Sequence, residues 1–438
     1  MSTAVGIAPT SVRTVPLAPG ASLLDHLPSP AGALSWIRDG DGLVGWGEAA
    51  RLEVTGPDRF ALAANWWRRI AAGWEVDDAL GLPGCGPVAF GSFAFDDDDD
   101  DAFDDDDGPA RSVLVVPEVL VGRRDGTSWL TTVGSSDQPS APVVMHETAE
   151  PSRLRYSSGQ VPVTAWRQAV TEAVRRIRAG QLEKVVLAYD LLATADEDID
   201  VRFVLAGLAR SYPSCWTFAV DGLVGATPEL LVSRHGDRVH SRVLAGTAPR
   251  GADAVEDAAH GLALLGSAKD REEHRYAVES LTASLGPHCG ALTVPDSPYV
   301  LALPNVSHLA TDVTGQLDDG SSALELAGAL HPSAAVGGTP TAVAVRVLRE
   351  LETMDRGRYA GPVGWVDARG DGEWGIALRC AQLEGGSARL FAGCGIVADS
   401  DPDAEVLEAQ TKFVPVRDAL EGLASVGGQQ VTTQTGRP

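Results

Sequence analysis

Hydrophobic and polar positions follow two different periods along this chain. In PDRFALAANWWRRIAA, and from Val163 to about Ala179, apolar residues recur at helical spacing, which predicts helices that each bury one face. In EKVVLAYDLLAT the period is two, which predicts a strand with Lys184, Val186 and Ala188 on one face. Runs of such strands, joined by Asp-Gly turns and separated by groups of helices, predict an α+β fold.

The same patterns suggest how the chain is organised. We expect further helices over 254–265 and 271–285 and a last one from about Ala404. The segment Ser135–Ser152 is rich in proline, serine and acids, which is typical of a connection between larger units. It separates an N-terminal half, 1–150, from a larger catalytic region, 151–425. The last residues, 426–438, read as a flexible tail.

Composition and charge exclude several classes of function. The chain has 438 residues, 44% of them hydrophobic, and a net charge of -25, so nucleic acid and anionic membranes would be repelled. Its five cysteines form no CxxC pair and its N-terminus carries no secretory pattern, so we expect reduced thiols and a cytoplasmic protein. We also expect a monomer.

Ten aspartates fall within residues 96–107. Such a run has no apolar area to bury, so we expect a solvated loop. It lacks the glycine turn and the final glutamate of a calcium-binding loop. An acidic metal-binding protein built on this run remains the alternative to an enzyme.

Two pairs of acids repeat one spacing. Asp270 and Glu273 in SAKDREEH are three residues apart, as are Glu405 and Glu408 in EVLEAQTK, so each pair shares a helix face. If the two faces met, their oxygens would suit Mg²⁺. Helix capping explains the first pair equally well, because Ser267 and Asp270 have the spacing of a capping box. From the residues alone, both interpretations stay open.

A lysine and a glutamate raise a similar choice. Lys184 lies in an otherwise apolar strand, either as an edge residue whose amine reaches water or as a buried amine. Glu229 in ATPELLVSR is either a turn residue or a proton donor. If both faced one pocket, they would form a proton-transfer pair.

Ten stretches in order together resemble a known family, the chorismate-utilising enzymes, which comprise isochorismate, salicylate, anthranilate and aminodeoxychorismate synthases. They are KVVLAYD, GATPELLVSR, LAGTAPRG, SAKDREEH, LPNVSHLATDVTG, LHPSAAVGGTP, GRYAGPVGWVD, IALRCA, AGCGIVADSDPDAE and EVLEAQTK, between about 163 and 423. The resemblance implies a large antiparallel β-sandwich with outer helices, the fold of anthranilate synthase component I, with the active site in a deep cleft.

The resemblance also implies site residues. Lys184 matches the family's general base, Glu229 its acid and His331 its active-site histidine. Mg²⁺ would be held by Glu273 and Glu408, with Asp270 and Glu405 close by. The substrate, chorismate, would contact the following residues: Gly246, Thr247, Tyr359, Arg379, Gly393, Gly395 and Lys412.

Single positions favour one member of the family. Anthranilate synthases typically have glutamine at the position of Lys184, and aminodeoxychorismate synthases have lysine at that of Ala245. This chain therefore resembles the water-using members most, which implies an isochorismate synthase, with a salicylate synthase as the alternative and an anthranilate or aminodeoxychorismate synthase after it. Its product would enter menaquinone or siderophore biosynthesis. Ala409 departs from the family pattern, which has threonine there.

Overall fold

The computed structural model describes residues 3–4, 11–18, 20, 22–96, 111–134 and 147–423. The predicted Asp-rich loop beyond Asp96 and the tail 426–438 therefore lie outside the described residues. The helices are α1 (Arg59–Ala72), α2 (Val163–Arg178), α3 (Val201–Ser211), α4 (Ala254–Gly266), α5 (Ala268–Leu285), α6 (Ala323–Leu330), α7 (Thr341–Leu351) and α8 (Pro402–Leu420), with short 3₁₀ turns at Leu23–His26 and Gly286–His288.

The strands divide at the proline-rich segment. Before it lie β1 (Thr3–Ala4), β2 (Ser11–Leu17), β3 (Leu34–Arg38), β4 (Asp41–Trp46), β5 (Ala50–Val54), β6 (Glu75–Asp78), β7 (Val88–Ser92), β8 (Ser112–Val116), β9 (Val119–Arg124) and β10 (Thr127–Val133). After it lie β11 (Arg155–Ser158), β12 (Lys184–Thr194), β13 (Trp216–Val220), β14 (Leu223–Thr227), β15 (Leu230–His235), β16 (Arg238–Pro249), β17 (Cys289–Thr293), β18 (Tyr299–Ala302), β19 (Val306–Leu317), β20 (Gly338–Thr339), β21 (Pro362–Asp367), β22 (Gly372–Ile376), β23 (Cys380–Glu384) and β24 (Ser387–Ile396).

These strands form two large sheets. One has the order β1-β5-β8-β7-β21-β22-β15-β16-β19-β17, with β18 also on β19, and the other β11-β12-β24-β23-β14-β13-β3-β4-β9-β10-β2-β6, with β20 also on β12. Among the described strands the pairing is antiparallel except between β2 and β6. Both sheets combine strands from before and after residue 150, so the two halves of the chain share one sandwich. The α+β prediction is confirmed.

The helices follow the predicted pattern with small shifts at their ends. The predicted helix from Val163 ends at Arg178. The helix expected from Arg271 begins three residues earlier, at Ala268, because the hydroxyl of Ser267 accepts the Asp270 N–H and caps it. Helix α5 packs against β16, α8 against β24, and α2 and α7 against β12. Within the described chain, no helix combines the length and the apolar character that crossing a bilayer requires.

A partly buried carboxylate links the two sheets. Glu373 in β22 accepts hydrogen bonds from the indole nitrogens of Trp36 (3.0 Å) and Trp216 (3.2 Å), which belong to the opposite sheet. Arg124 donates to its other oxygen at 3.1 Å. Burial raises the pKa of Glu373, but His235 and Arg124 outweigh it and bring the pKa to about 2. The carboxylate is therefore charged at neutral pH and fully partnered.

We expect Glu373→Ala to lower the free energy of unfolding by about 3 kcal/mol, because two buried indole N–H groups and a guanidinium lose their acceptor. Urea denaturation measures this change. The exposed Glu384→Ala is the control and should alter stability by less than about 0.5 kcal/mol. Since the folded pKa is lowered, the stabilisation should be present at neutral pH and disappear as the pH falls from about 4.5 towards 2. An equal effect of both variants would contradict this role.

Candidate active site

A cleft opens where β12, β16 and β24 meet the helices α5 and α8. It is lined by ten of the residues predicted from the sequence, which are Glu229, Gly246, Thr247, Glu273, Tyr359, Arg379, Gly393, Gly395, Glu408 and Lys412. These residues are spread over 184 positions of sequence, and the folding of both sheets brings them together. The cleft is therefore the candidate active site.

Lys184 lies directly beneath the cleft. Its side chain is 0% exposed, so the alternative of an edge lysine reaching water is wrong. Its Nζ lies 3.1 Å from Oε1 of Glu273 but makes no hydrogen bond of good geometry with any described residue. A buried amine with unused hydrogen-bonding capacity is costly unless a ligand or water completes it. Lys184 is thus placed to act on something bound in the cleft.

Glu229 occupies the short connection between β14 and β15. It is 5% exposed, and burial raises the pKa of its carboxyl to about 8, although Lys184 and Arg379 act in the opposite direction. At neutral pH this carboxyl is therefore protonated. A protonated acid and a buried amine thus flank the same cleft, as the proton-transfer interpretation requires.

The acids of α5 and α8 fall into two groups, those that cap the helices and those that line the cleft. Asp270 shares a hydrogen bond with Ser267 and lies behind the cleft wall, so it contributes to capping α5. The start of α8 is capped by Asp401, which accepts from the N–H of Ala404 at 2.9 Å. Glu273 and Glu408 take no part in capping and line the cleft. Capping therefore does not explain why both helices carry the second acid.

The oxygen donors around this point suit Mg²⁺. Ligand atoms of Glu405, Glu408 and Cys394 lie within 4.8 Å of one another, and Glu273 of α5 lines the same cleft as Glu408. Carboxylates are preferred by this hard cation. Burial raises the pKa of the Cys394 thiol well above its ordinary value, so the sulfur is protonated and unsuited to Mg²⁺. The carboxylate set fits the predicted metal.

Lys412 connects α8 to the glycine-rich strand. Its Nζ lies 2.7 Å from Oε1 of Glu408 and donates to the carbonyl of Gly393 at 2.8 Å. Burial raises the pKa of Glu408, but Lys412 outweighs it and brings the pKa to about 2. Glu408 is therefore a carboxylate throughout the physiological range, as a metal ligand must be.

Arg379 holds a free donor in the cleft. Its backbone φ is +50°, a left-handed conformation that is uncommon for residues other than glycine and often marks functional sites. Its Nε is buried without a hydrogen-bond partner among the described residues, and burial raises the pKa of Tyr359, which lines the same cleft, to about 12. A guanidinium with an unused donor beside a neutral hydroxyl is suited to bind a carboxylate.

His308 also lines the cleft, and sequence reasoning missed it although it stands inside LPNVSHLATDVTG. Its Nε2 lies 3.2 Å from Nη2 of Arg379, and its Nδ1 lies 3.1 Å from the carbonyl of Gly246. Burial, with Arg379 as the next cause, lowers the pKa of His308 to about 3. The ring is therefore neutral, accepts from Arg379 and donates to Gly246, which fixes both residues.

The structure does not bring His331 to the lining of this cleft. Its Nε2 faces the carbonyl of Phe95 at 2.8 Å, and its ring packs against Phe60 and Phe95. Burial lowers the pKa of His331 to about 3. Among the residues that line the cleft the histidine is therefore His308, and His331 packs against Phe60 and Phe95.

An ion pair completes the edge of β12, which sequence reasoning also missed. Between β20 and β11, no described strand pairs with this side of β12. Arg356 donates to the carbonyls of Val186 (2.6 Å) and Val336 (3.0 Å) and to the carboxylate of Glu352 (2.6 Å), which in turn accepts from the N–H of Ala188 (2.7 Å). Side chains thus replace a strand here and hold the strand of Lys184 in place.

Lys269 lies at the outer edge of the four predicted acids, Asp270, Glu273, Glu405 and Glu408, which are called the acid set below. Its Nζ is 3.1 Å from Oε1 of Glu405. Burial lowers the pKa of Lys269, but Glu405, Glu273 and Glu408 outweigh it, so the net shift is upward. The prediction for SAKDREEH concerns its acids and assigns no role to Lys269, which precedes them.

Comparison with known proteins shows the family of this chain. The sequence profile described as "Chorismate binding enzyme" matches residues 34–421. The chain belongs to this family of chorismate-binding enzymes. The match covers both halves of the sandwich, so the family assignment includes the N-terminal region that the sequence motifs matched more loosely.

Individual relatives of this chorismate-binding enzyme are named as isochorismate synthases. A protein of Pseudomonas aeruginosa named salicylate biosynthesis isochorismate synthase is 35% identical over 426 residues, which are 92% of this chain and 87% of the relative. The isochorismate synthase DhbC of Bacillus subtilis is 43% identical over 260 residues, 57% of this chain and 65% of that protein. The structure of MenF, the menaquinone-specific isochorismate synthase of Escherichia coli, superposes with a TM-score of 0.77 at 24% identity, covering 94% and 95% of the two chains, which supports the fold.

Gly395 generates a test of this geometry. A Cβ added there would lie 2.3 Å from Oε1 of Glu273 and 2.8 Å from Cε of Lys184. Both atoms are ends of flexible side chains, so we expect Gly395→Ala to fold with nearly unchanged thermal stability but to lose at least about 100-fold in kcat/KM, because a misplacement of about 1 Å is that costly. The control Gly286→Ala has room for its methyl group and should keep activity. Full activity of Gly395→Ala would contradict the geometry described here.

Proposed function

We propose that this chorismate-binding enzyme is an isochorismate synthase. In this reaction a water molecule adds to C2 of chorismate while the hydroxyl at C4 leaves, so the substrate and product are isomers. The single observation that carries the proposal is the presence of a buried amine, Lys184, and a protonated buried carboxyl, Glu229, at one cleft. The named relatives in Pseudomonas aeruginosa and Bacillus subtilis support the choice.

The two proton transfers are assigned to these residues. Lys184 acts as the base and takes a proton from the attacking water, and Glu229 gives its proton to the C4 oxygen, which departs as water. Atoms balance, because one water enters and one leaves. The pKa of about 8 keeps Glu229 protonated at neutral pH, as this role requires.

The two carboxylates of chorismate define the rest of the site. We assign the enolpyruvyl carboxylate to Arg379, whose Nε is unpartnered, and to the hydroxyl of Tyr359. The ring carboxylate would contact Lys412 and the backbone from Gly393 to Gly395, both of which line the cleft. Gly246 and Thr247 would form one wall.

The acid set is proposed to hold Mg²⁺. Glu273 and Glu408 would bind it, and Asp270 and Glu405 would support these ligands from behind. When bound, this cation would attract the ring carboxylate and help to fix the substrate in the cleft. The protein's own part is to keep these carboxylates ionised and in place, which Lys412 does for Glu408.

The product decides between the members of the family. With chorismate and Mg²⁺ we expect the purified chain to form isochorismate, at equilibrium with chorismate, and to stop when a chelator removes the metal. Lys184→Ala should lower kcat by about 10²- to 10⁴-fold, the loss expected for a general base. Chromatography of the reaction measures this. Salicylate formed without a second enzyme, an aminated product in the presence of ammonium, or turnover in excess chelator would contradict the proposal.

The raised pKa of Glu229 predicts the pH dependence. Because the acid must be protonated to act, kcat/KM should fall above about pH 8 by tenfold per pH unit. Glu229→Gln, which keeps the shape but has no acidic proton, should lose about 10²-fold or more. A profile measured at constant ionic strength checks this. A loss of activity that begins below pH 6 as the pH rises would contradict the assignment of Glu229 as the acid.

A further inference from the structure

The distribution of lysine in this chain is unusual. Lysine and arginine together occur at 35 positions, and lysine at three of them only, Lys184, Lys269 and Lys412. Each of the three lies next to a carboxylate of the acid set: Lys184 at 3.1 Å from Glu273, Lys269 at 3.1 Å from Glu405 and Lys412 at 2.7 Å from Glu408. A chain that uses arginine almost everywhere else retains lysine at this one site. Lys269, which has no role in the proposed reaction, therefore calls for an explanation.

Lys269 differs from the other two lysines in its access to water. The side chains of Lys184 and Lys412 are 0% and 10% exposed, whereas that of Lys269 is 35% exposed. Its ammonium reaches from the first turn of α5 to Glu405 of α8, whose side chain is only 3% exposed. Among the three lysines, Lys269 is therefore the one whose ammonium can rotate into water without passing other side chains.

Glu405 and Glu408 create the need for this cation. Their ligand atoms lie within 4.8 Å of each other in a buried region, where two like charges repel strongly. Lys412 neutralises Glu408, and Lys269 neutralises Glu405. A divalent cation among the same carboxylates would supply this positive charge instead. The ammonium of Lys269 and the metal would therefore compete for the same negative charges.

The chemistry of the two basic side chains explains the choice of lysine. An ammonium is a compact and strongly hydrated point charge on a flexible stem, whereas a guanidinium holds a carboxylate with two parallel hydrogen bonds. An arginine at this position would bind Glu405 more firmly and would resist displacement. A lysine is therefore better suited than an arginine to release Glu405 when another cation binds.

We propose that Lys269 is the displaceable counter-ion of the metal site. It neutralises Glu405 while the site holds no metal, and its ammonium turns into water when Mg²⁺ is held by Glu273 and Glu408. This inference rests on the proposed function, because it presupposes that the acid set binds Mg²⁺.

The test measures Mg²⁺ binding to the full chain by isothermal titration calorimetry, without substrate. Lys269→Met removes the competing charge, so we expect the Kd for Mg²⁺ to fall by about tenfold. Lys269→Arg strengthens the hold on Glu405, so the Kd should rise by about threefold or more. The control is Arg167→Met, which removes an equal charge from an exposed pair with Asp403 near the start of α8 and should leave the Kd within about twofold.

The opposite signs of the two variants distinguish a counter-ion from a purely structural residue. If both variants weaken Mg²⁺ binding, or if neither changes it, the inference is overturned. If Lys269→Met does not fold, the arginine variant decides, since a Kd equal to or lower than that of the wild type contradicts the inference. If the wild type binds no Mg²⁺ at all, the metal site of the proposed function fails first and the inference fails with it.

Discussion

Mutual neutralisation of buried charges is the constraint on which this site depends. A carboxylate or ammonium taken out of water costs several kcal/mol unless an opposite charge and hydrogen bonds replace the solvent. Here three of the acids, Glu273, Glu405 and Glu408, each lie within about 3 Å of a lysine that comes from another segment or from the next turn of the same helix. Helices α5 and α8 and strand β12 must therefore take up their positions together, because displacing one of them would leave a charge buried without a partner.

Glycine provides the room in which these charges meet. On β24, Gly393 and Gly395 face the cleft, and Oε1 of Glu273 occupies the space that a side chain at Gly395 would need. In β16 the strand register shifts between Ala245 and Thr247, so Gly246 takes a φ of +79° and Asp270 lies 2.9 Å from where its Cβ would be. Both close approaches let helix α5 lie directly against β16, which carries Glu273 into the cleft.

Local patterns in the sequence predicted the elements, and the resemblance to a known family supplied most of the residues that line the candidate site. The spacing of Asp270 and Glu273 and the alternation around Lys184 are properties of a single helix and a single strand. The misses depend on contacts between distant segments. His308 is one of several polar residues in β19, and only the position of Arg379 gives it a role. Arg356 acts by filling an incomplete sheet edge, which no local pattern reveals. His331 was assigned through its motif, and in the structure its ring packs against Phe95 and is not part of the cleft lining.

The charge balance of the cleft also bears on how its ligands would bind. In the proposed reaction the site receives a dianion, chorismate, and a dication, Mg²⁺. Either one alone changes the net charge of a buried region by two, whereas the pair leaves it unchanged, so each should favour the other through a coupling free energy that is equal in both directions. The lysines make this exchange feasible. Lys412, which now lies between Glu408 and the carbonyl of Gly393, can keep its charge neutralised by the substrate carboxylate once Glu408 turns to the metal. The acid set and the lysines therefore act together. In the proposed complex, a carboxylate that separates from its lysine would be neutralised by Mg²⁺.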